Sequence, residues 1–104
     1  MEILIQRGAG EGRSIALCAA RVTVGRTSES DIALQGDWLV SRRHCEIVRR
    51  GSIWSLVDVG SKNGTFVNGR PITAPVVLKA GDSIRLGNSE LLVRERPACV
   101  AFAA

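Results

Sequence analysis

Apolar and polar residues alternate in short bursts along the whole chain, and glycine, proline and asparagine turns separate the bursts. Residues 1–6 are apolar and β-rich, Gly8-Ala9-Gly10-Glu11-Gly12 makes a flexible turn, and residues 14–17 read as a returning strand. Arg21-Val22-Thr23-Val24 alternates around two β-branched valines, which suits a half-buried pleated surface. Residues 31–34 form a short strand between polar loops. Residues 44–49 and 52–57 are joined by Arg50-Gly51, a hairpin signal. Residues 65–67 run into a tight turn at Asn68-Gly69, and residues 75–78, 83–86 and 90–93 give three more strands punctuated by Gly81-Asp82 and Gly87-Asn88. No apolar pattern of period 3.6 persists over the ~11 residues a helix wants. Ten or so short strands with regular turn signals predict an all-β sandwich or barrel.

Length and charge narrow this further. The 104 residues allow one domain, and such a domain buries roughly two thirds of its unfolded surface. No apolar run approaches the ~20 residues of a membrane span, and the N-terminus lacks the basic start and apolar core of a signal peptide, so the chain reads as cytoplasmic with no membrane partner. The net charge is +4, carried almost entirely by arginine. These arginines are scattered and aromatics are few, whereas a nucleic-acid module clusters its cations and interleaves them with aromatics. No nucleic-acid partner is expected. Cys18, Cys45 and Cys99 are odd in number and far apart, with neither zinc-ligand nor redox spacing, and read as free thiols in a reducing compartment. No metal or cofactor is expected.

Three strings stand apart from the strand pattern: Gly25-Arg26, Ser41-Arg42-Arg43-His44 and Asn63-Gly64-Thr65. They are roughly 15 to 20 residues apart, about the reach of one β-hairpin. Each joins a turn former to a hydrogen-bond donor or a cation, the layout of loops gathered at one end of a rigid β scaffold. Gly25 lets the strand turn sharply. The Arg26 guanidinium, the Ser41 hydroxyl and the Arg42 amide offer several donors to one anion, for which a phosphate group is the obvious candidate. A Ser41–His44 hydrolase dyad is disfavoured, because no carboxylate orients the imidazole and no glycine-framed elbow surrounds Ser41. Asp58, before Gly60, reads as a turn cap. Trp54 reads as a core or half-buried residue, and Trp38 as packing under its loop or touching a bound peptide, the first being favoured.

In order and spacing, Val24-Gly25-Arg26, Ser-Arg-Arg-His at 41–44, Gly-Ser-Lys-Asn-Gly-Thr-Phe-Val-Asn-Gly at 60–69 and Gly81-Asp82 resemble the forkhead-associated (FHA) domain family. The resemblance covers about residues 3–93. It implies a β-sandwich of two antiparallel or mixed sheets with about eleven short strands and binding loops at one end. The domain then takes residues 1–97, and 98–104 form a C-terminal edge strand or the start of a linker. It also implies a non-enzymatic module that binds phosphothreonine in partner proteins, in preference to phosphoserine. By position, Arg26, Ser41, Arg42 and Lys62 contact the phosphate, while Asn63 and Arg43 hold the peptide main chain. Gly25, His44, Gly64, Thr65 and Asn68 support the site. A larger multidomain signalling or secretion system is the expected setting. The competing reading is an FHA-like scaffold that has lost phosphate binding; the presence of Arg26, Ser41, Arg42 and Asn63 argues against that loss.

Overall fold

In the computed structural model, which describes residues 1–95, the chain forms eleven strands and, among those residues, no helix. They are β1 (Glu2–Arg7), β2 (Ser14–Ala16), β3 (Arg21–Gly25), β4 (Ile32–Ala33), β5 (Cys45–Arg50), β6 (Ile53–Asp58), β7 (Phe66–Val67), β8 (Arg70–Pro71), β9 (Val76–Val77), β10 (Ser83–Leu86) and β11 (Ser89–Arg94). One sheet runs β2-β1-β11-β10-β7-β8 and the other β4-β3-β5-β6-β9. Every pairing is antiparallel except β3 with β4. The fold is all-β, with one antiparallel and one mixed sheet, as the alternation and the family resemblance imply.

Register follows from burial. Along one sheet Ile5 stands opposite Leu91, Leu91 opposite Ile84, and Ile84 opposite Val67. Along the other, Val22 is opposite Ile47 and Ile47 opposite Leu56. All of these side chains are buried in one core cluster. Burying an aliphatic side chain of this size stabilises the fold by ~1.5–3 kcal/mol. A slip of one residue would turn such a row outwards, so the register is strongly fixed.

The β5–β6 hairpin has a different turn from the expected one. Arg50 pairs with Ile53, so the turn is Gly51-Ser52, one residue beyond the expected Arg50-Gly51. In this register buried Ile47 stands across from buried Leu56, while the expected turn would have set it across from Trp54, which is buried as well. Strand β8 was not expected: it is two residues long and contains Pro71, which is tolerated because β8 is the outer edge of its sheet. Trp54 is buried, as expected.

Gly25 is explained differently from the sequence reading. It is the last residue of β3, and its φ is not positive, so it makes no sharp turn. Its role is close approach: a Cβ there would lie 2.0 Å from the Arg42 carbonyl oxygen and 2.7 Å from Ser30 Oγ. The free-thiol reading holds for buried Cys45 and fails for Cys18, which is disulfide-bonded. Cys99, Pro97 and the segment 98–104 lie outside the described residues. No helix among the described residues is long and apolar enough to cross a membrane.

Candidate functional site

Three connections meet at one end of the sandwich. The first begins at Arg26, directly after β3. The second joins β4 to β5 and carries residues 34–44. The third joins β6 to β7 and carries residues 59–65. Backbone bonds stitch them together: Arg26 N–H donates to the Ser41 carbonyl (3.1 Å), Leu34 N–H to the Gly25 carbonyl (2.8 Å) and Val59 N–H to the His44 carbonyl (3.2 Å).

His44 is the clamp between the second and third connections. It is wholly buried. The Ser41 amide donates to its Nδ1 (3.0 Å), so Nδ1 must be the accepting nitrogen. Nε2 then carries the proton and donates it to the Gly64 carbonyl (2.8 Å). With both nitrogens committed to the backbone, the ring has no free nitrogen to serve as a base for Ser41.

Asp58 organises the third connection. It accepts from the amides of Gly60 (2.8 Å) and Ser61 (2.9 Å) and from the hydroxyls of Ser61 and Thr65 (2.7 Å for Thr65). Ser61 Oγ in turn accepts from the Gly64 amide (3.0 Å). Partial burial pushes the carboxyl pKa up, but the bonds from Ser61, Thr65 and Gly60 outweigh it and bring the value down to about 2. Asp58 therefore caps a turn. A carboxylate held below its unfolded value (~3.9) stabilises the fold above that value and stops doing so as pH falls through the folded pKa. Melting temperature should accordingly drop between about pH 4 and pH 2, and Asp58→Asn should flatten that part of the profile. Equal acid sensitivity in the two proteins would contradict this role. In Cys45, burial first and the charge of Asp58 second push the thiol well above its usual range, although a Thr65 hydrogen bond opposes them. It is a packing residue rather than a nucleophile.

On this frame, Arg26, Ser41, Arg42, Lys62 and Asn63 line a single cavity of about 350 Å³, together with Trp38, Leu39 and Val40. Arg26 Nη1 donates to the carbonyls of Val40 (3.2 Å) and Trp38 (3.5 Å), and its guanidinium lies 5.0 Å from the Trp38 ring centroid. Those bonds engage one guanidinium nitrogen. Ser41 Oγ accepts from the Lys62 amide (3.0 Å), an arrangement that leaves the hydroxyl proton available to an anion. Asn63 Nδ2 donates to the Leu39 carbonyl (2.9 Å) and ties the third connection to the second. Among the described residues, the ion pairs are Arg7–Glu90, Arg21–Glu46 and Arg94–Glu2, so no cation of the cavity is neutralised by a carboxylate there. The arrangement gathers cationic and hydroxyl donors of the kind a multiply charged oxyanion accepts from.

Two expected site residues stand apart. Arg43 lines adjoining hollows with Thr27 and Glu29 instead of this cavity. Asn68 occupies the β7–β8 turn at φ 52°, where its side chain bonds Asp82 (3.0 Å) and the Ser83 amide (3.0 Å). Asp37 was missed. It is buried and accepts from Leu39 N–H (3.2 Å), Asn88 N–H (2.9 Å) and Ser89 Oγ (2.6 Å), so it anchors the second connection to the β10–β11 turn. Gly87 leaves room for it, since a Cβ there would lie 2.7 Å from Asp37 Oδ1. The signal in the sequence was a lone Asp after Gly36, too common to single out. Trp38, expected to pack beneath the loop, is 78% exposed. Among the described residues, no group of three or more His, Cys, Asp or Glu side chains could hold a metal ion.

Residues 22–87 match the FHA domain family. The chain belongs to that family. This FHA domain is 41% identical over 95 residues to an oxoglutarate dehydrogenase inhibitor of Corynebacterium diphtheriae, covering 91% of the chain and 65% of the relative. It is 38% identical over 95 residues to the glycogen accumulation regulator GarA of Mycolicibacterium smegmatis, covering 91% of the chain and 59% of that relative. The chain thus spans less than two thirds of either relative's length. Among solved structures, the FHA domain of FhaA in complex with the intracellular domain of Rv3910 superposes with a TM-score of 0.80 at 38% identity, covering 89% of this chain and 98% of that one. A structure from work on phosphothreonine-dependent FHA domain interactions gives 0.82 at 38% identity, covering 92% and 96%.

Proposed function

We propose that this domain is a non-catalytic module that binds phosphothreonine in a partner protein, with the phosphate seated among Arg26, Ser41, Arg42 and Lys62. Asn63 and, from its flanking hollow, Arg43 hold the peptide main chain, while Gly25, His44, Gly64 and Thr65 keep the loops in place. Asn68 gives support from the β7–β8 turn. The single observation that carries the reading is the convergence of three connections on one cavity whose cations have no carboxylate partner among the described residues. Charged hydrogen bonds of ~1.5–3 kcal/mol each, three or four in number, together with peptide contacts suit an affinity near micromolar, about −8 kcal/mol. Likeness to domains studied for phosphothreonine-dependent interaction supports it. So does likeness to an enzyme inhibitor and a metabolic regulator, which suggests that the domain is the recognition part of a larger cytoplasmic regulatory system.

Calorimetry with a phosphothreonine peptide and its unphosphorylated twin tests this. The phosphorylated peptide is expected to bind near micromolar, ~1 μM, and the twin to give no measurable heat. Equal binding of the two would overturn the reading.

A further inference from the structure

Cys18 and Cys45 stand in opposite chemical states. Cys45 is the free thiol among the described residues; it is 1% exposed and belongs to the core cluster. Cys18 is disulfide-bonded and exposed. A disulfide within one chain needs a second sulfur, and Cys45 does not supply it. Cys99 is the one other cysteine in the sequence.

The backbone leads both cysteines to the same end of the sandwich. Glu2 stands opposite Arg94 of β11 on one side and opposite Ala16 of β2 on the other. Arg94, Glu2 and Ala16 thus form one row across three adjacent strands, about 10 Å wide at ~4.8 Å per strand. Side chains bridge that width: Arg94 pairs with the Glu2 carboxylate and donates to Ser14 Oγ (3.1 Å). Both β2 and β11 run antiparallel to β1, so both leave the sheet at the N-terminal end of β1. Cys18 follows Ala16 by two residues, and Cys99 follows Arg94 by five. Five residues reach up to ~17 Å. The row is therefore narrow enough for the sulfurs to meet without pulling a strand out of register.

Cys18 is also held in a fixed place. Leu17 is buried, and its N–H donates to the Met1 carbonyl (3.0 Å). On the other side, Arg49 N–H donates to the Ala20 carbonyl (2.8 Å). The β2–β3 connection is pinned on both flanks of Cys18, while the residue itself is exposed to any small thiol in solution. Strand β3 begins beside this connection and ends at Gly25, so the bond lies a strand's length from the cavity of Arg26 and Ser41.

We infer that Cys18 and Cys99 form a redox-sensitive clasp that fastens the segment after β11 to the β2–β3 connection. As the clasp closes, the two thiols give up two protons and two electrons and an S–S bond forms; glutathione disulfide takes them and leaves as two glutathione thiols. Dithiothreitol reverses the exchange and frees the segment. The bond closes a loop of about 80 residues, nearly the whole domain, so it acts mainly by restricting the unfolded chain.

The full 104-residue chain, equilibrated with glutathione disulfide or with dithiothreitol, tests this. After oxidation and alkylation, digestion and mass spectrometry are expected to give a Cys18–Cys99 linked peptide from monomeric protein. The oxidised protein should melt ~10 °C or more above the reduced protein. Cys99→Ser and Cys18→Ser should each melt like the reduced wild type under both conditions. A Cys18–Cys18 or Cys18–Cys45 link would overturn the inference. So would equal melting of the oxidised and reduced wild type, or an oxidative gain that survives in Cys99→Ser.

Discussion

Arg26→Ala is expected to weaken binding of a phosphothreonine peptide by ~100-fold or more while leaving the fold intact. The guanidinium lines the cavity, and its hydrogen bonds to the Val40 and Trp38 carbonyls engage Nη1, which leaves its other nitrogens for the proposed anion. Two charge-assisted bonds to a dianion contribute about 3 kcal/mol or more, and every 1.4 kcal/mol is a factor of ten. The hydrogen bonds of the same side chain go to two carbonyls, which water can satisfy when it is removed, and its ring contact is with an exposed indole. Arg26→Lys should recover part of the affinity through its charge and none of the forked geometry. Calorimetry read beside thermal melting checks this: a variant that melts like the wild type and binds within threefold of it would remove Arg26 from the site.

The second large effect is on stability. Gly25→Ala should destabilise the fold by roughly 3 kcal/mol, lowering the melting temperature by about 12–24 °C in a domain of this size. The new methyl would meet the Arg42 carbonyl at 2.0 Å, and both are backbone-borne, so neither can swing aside. Relief would have to come from moving the connection that carries Ser41 and Arg42, so peptide affinity should fall together with stability. Gly36→Ala is the control. Gly36 has φ +94° but nothing within 4 Å of its would-be Cβ, so that variant bears only the left-handed backbone penalty of about 1 kcal/mol. Equal melting shifts for the two variants would mean that the contact with Arg42 is not what requires glycine at position 25.

Which parts of this were legible in the sequence follows from the range of the interactions involved. Strand alternation is local, and the core rows of Val22, Ile47 and Leu56 stand where a period of two puts them. The loop motifs were legible because Gly, Ser, Asn and Arg are unusual in such combinations, and five of the residues they supplied line one cavity. The reason for Gly25 was not legible, because its steric partner is a carbonyl in a different connection. Asp37 was hidden for the same reason: its partners Asn88 and Ser89 lie 51 and 52 residues away. The hairpin turn differs by one residue because Gly51 can be either the second or the first residue of the turn, and both choices keep the same face buried, with Ile47 opposite Trp54 or Leu56. Trp38 misled in another way. Tryptophan is usually buried, and local pattern does not reveal that a buried aspartate beside it holds the turn tip outwards.

Residue-resolved amide NMR on the same peptide pair asks most directly whether the three connections converge on one dianion. With the phosphothreonine peptide, the amides of Arg26, Ser41, Arg42, Lys62 and Asn63 are expected to shift together along one saturation curve, and with the unphosphorylated twin they should stay still. Shifts gathered instead on the outer face around Ile53 and Val77, or the same in both titrations, would contradict it.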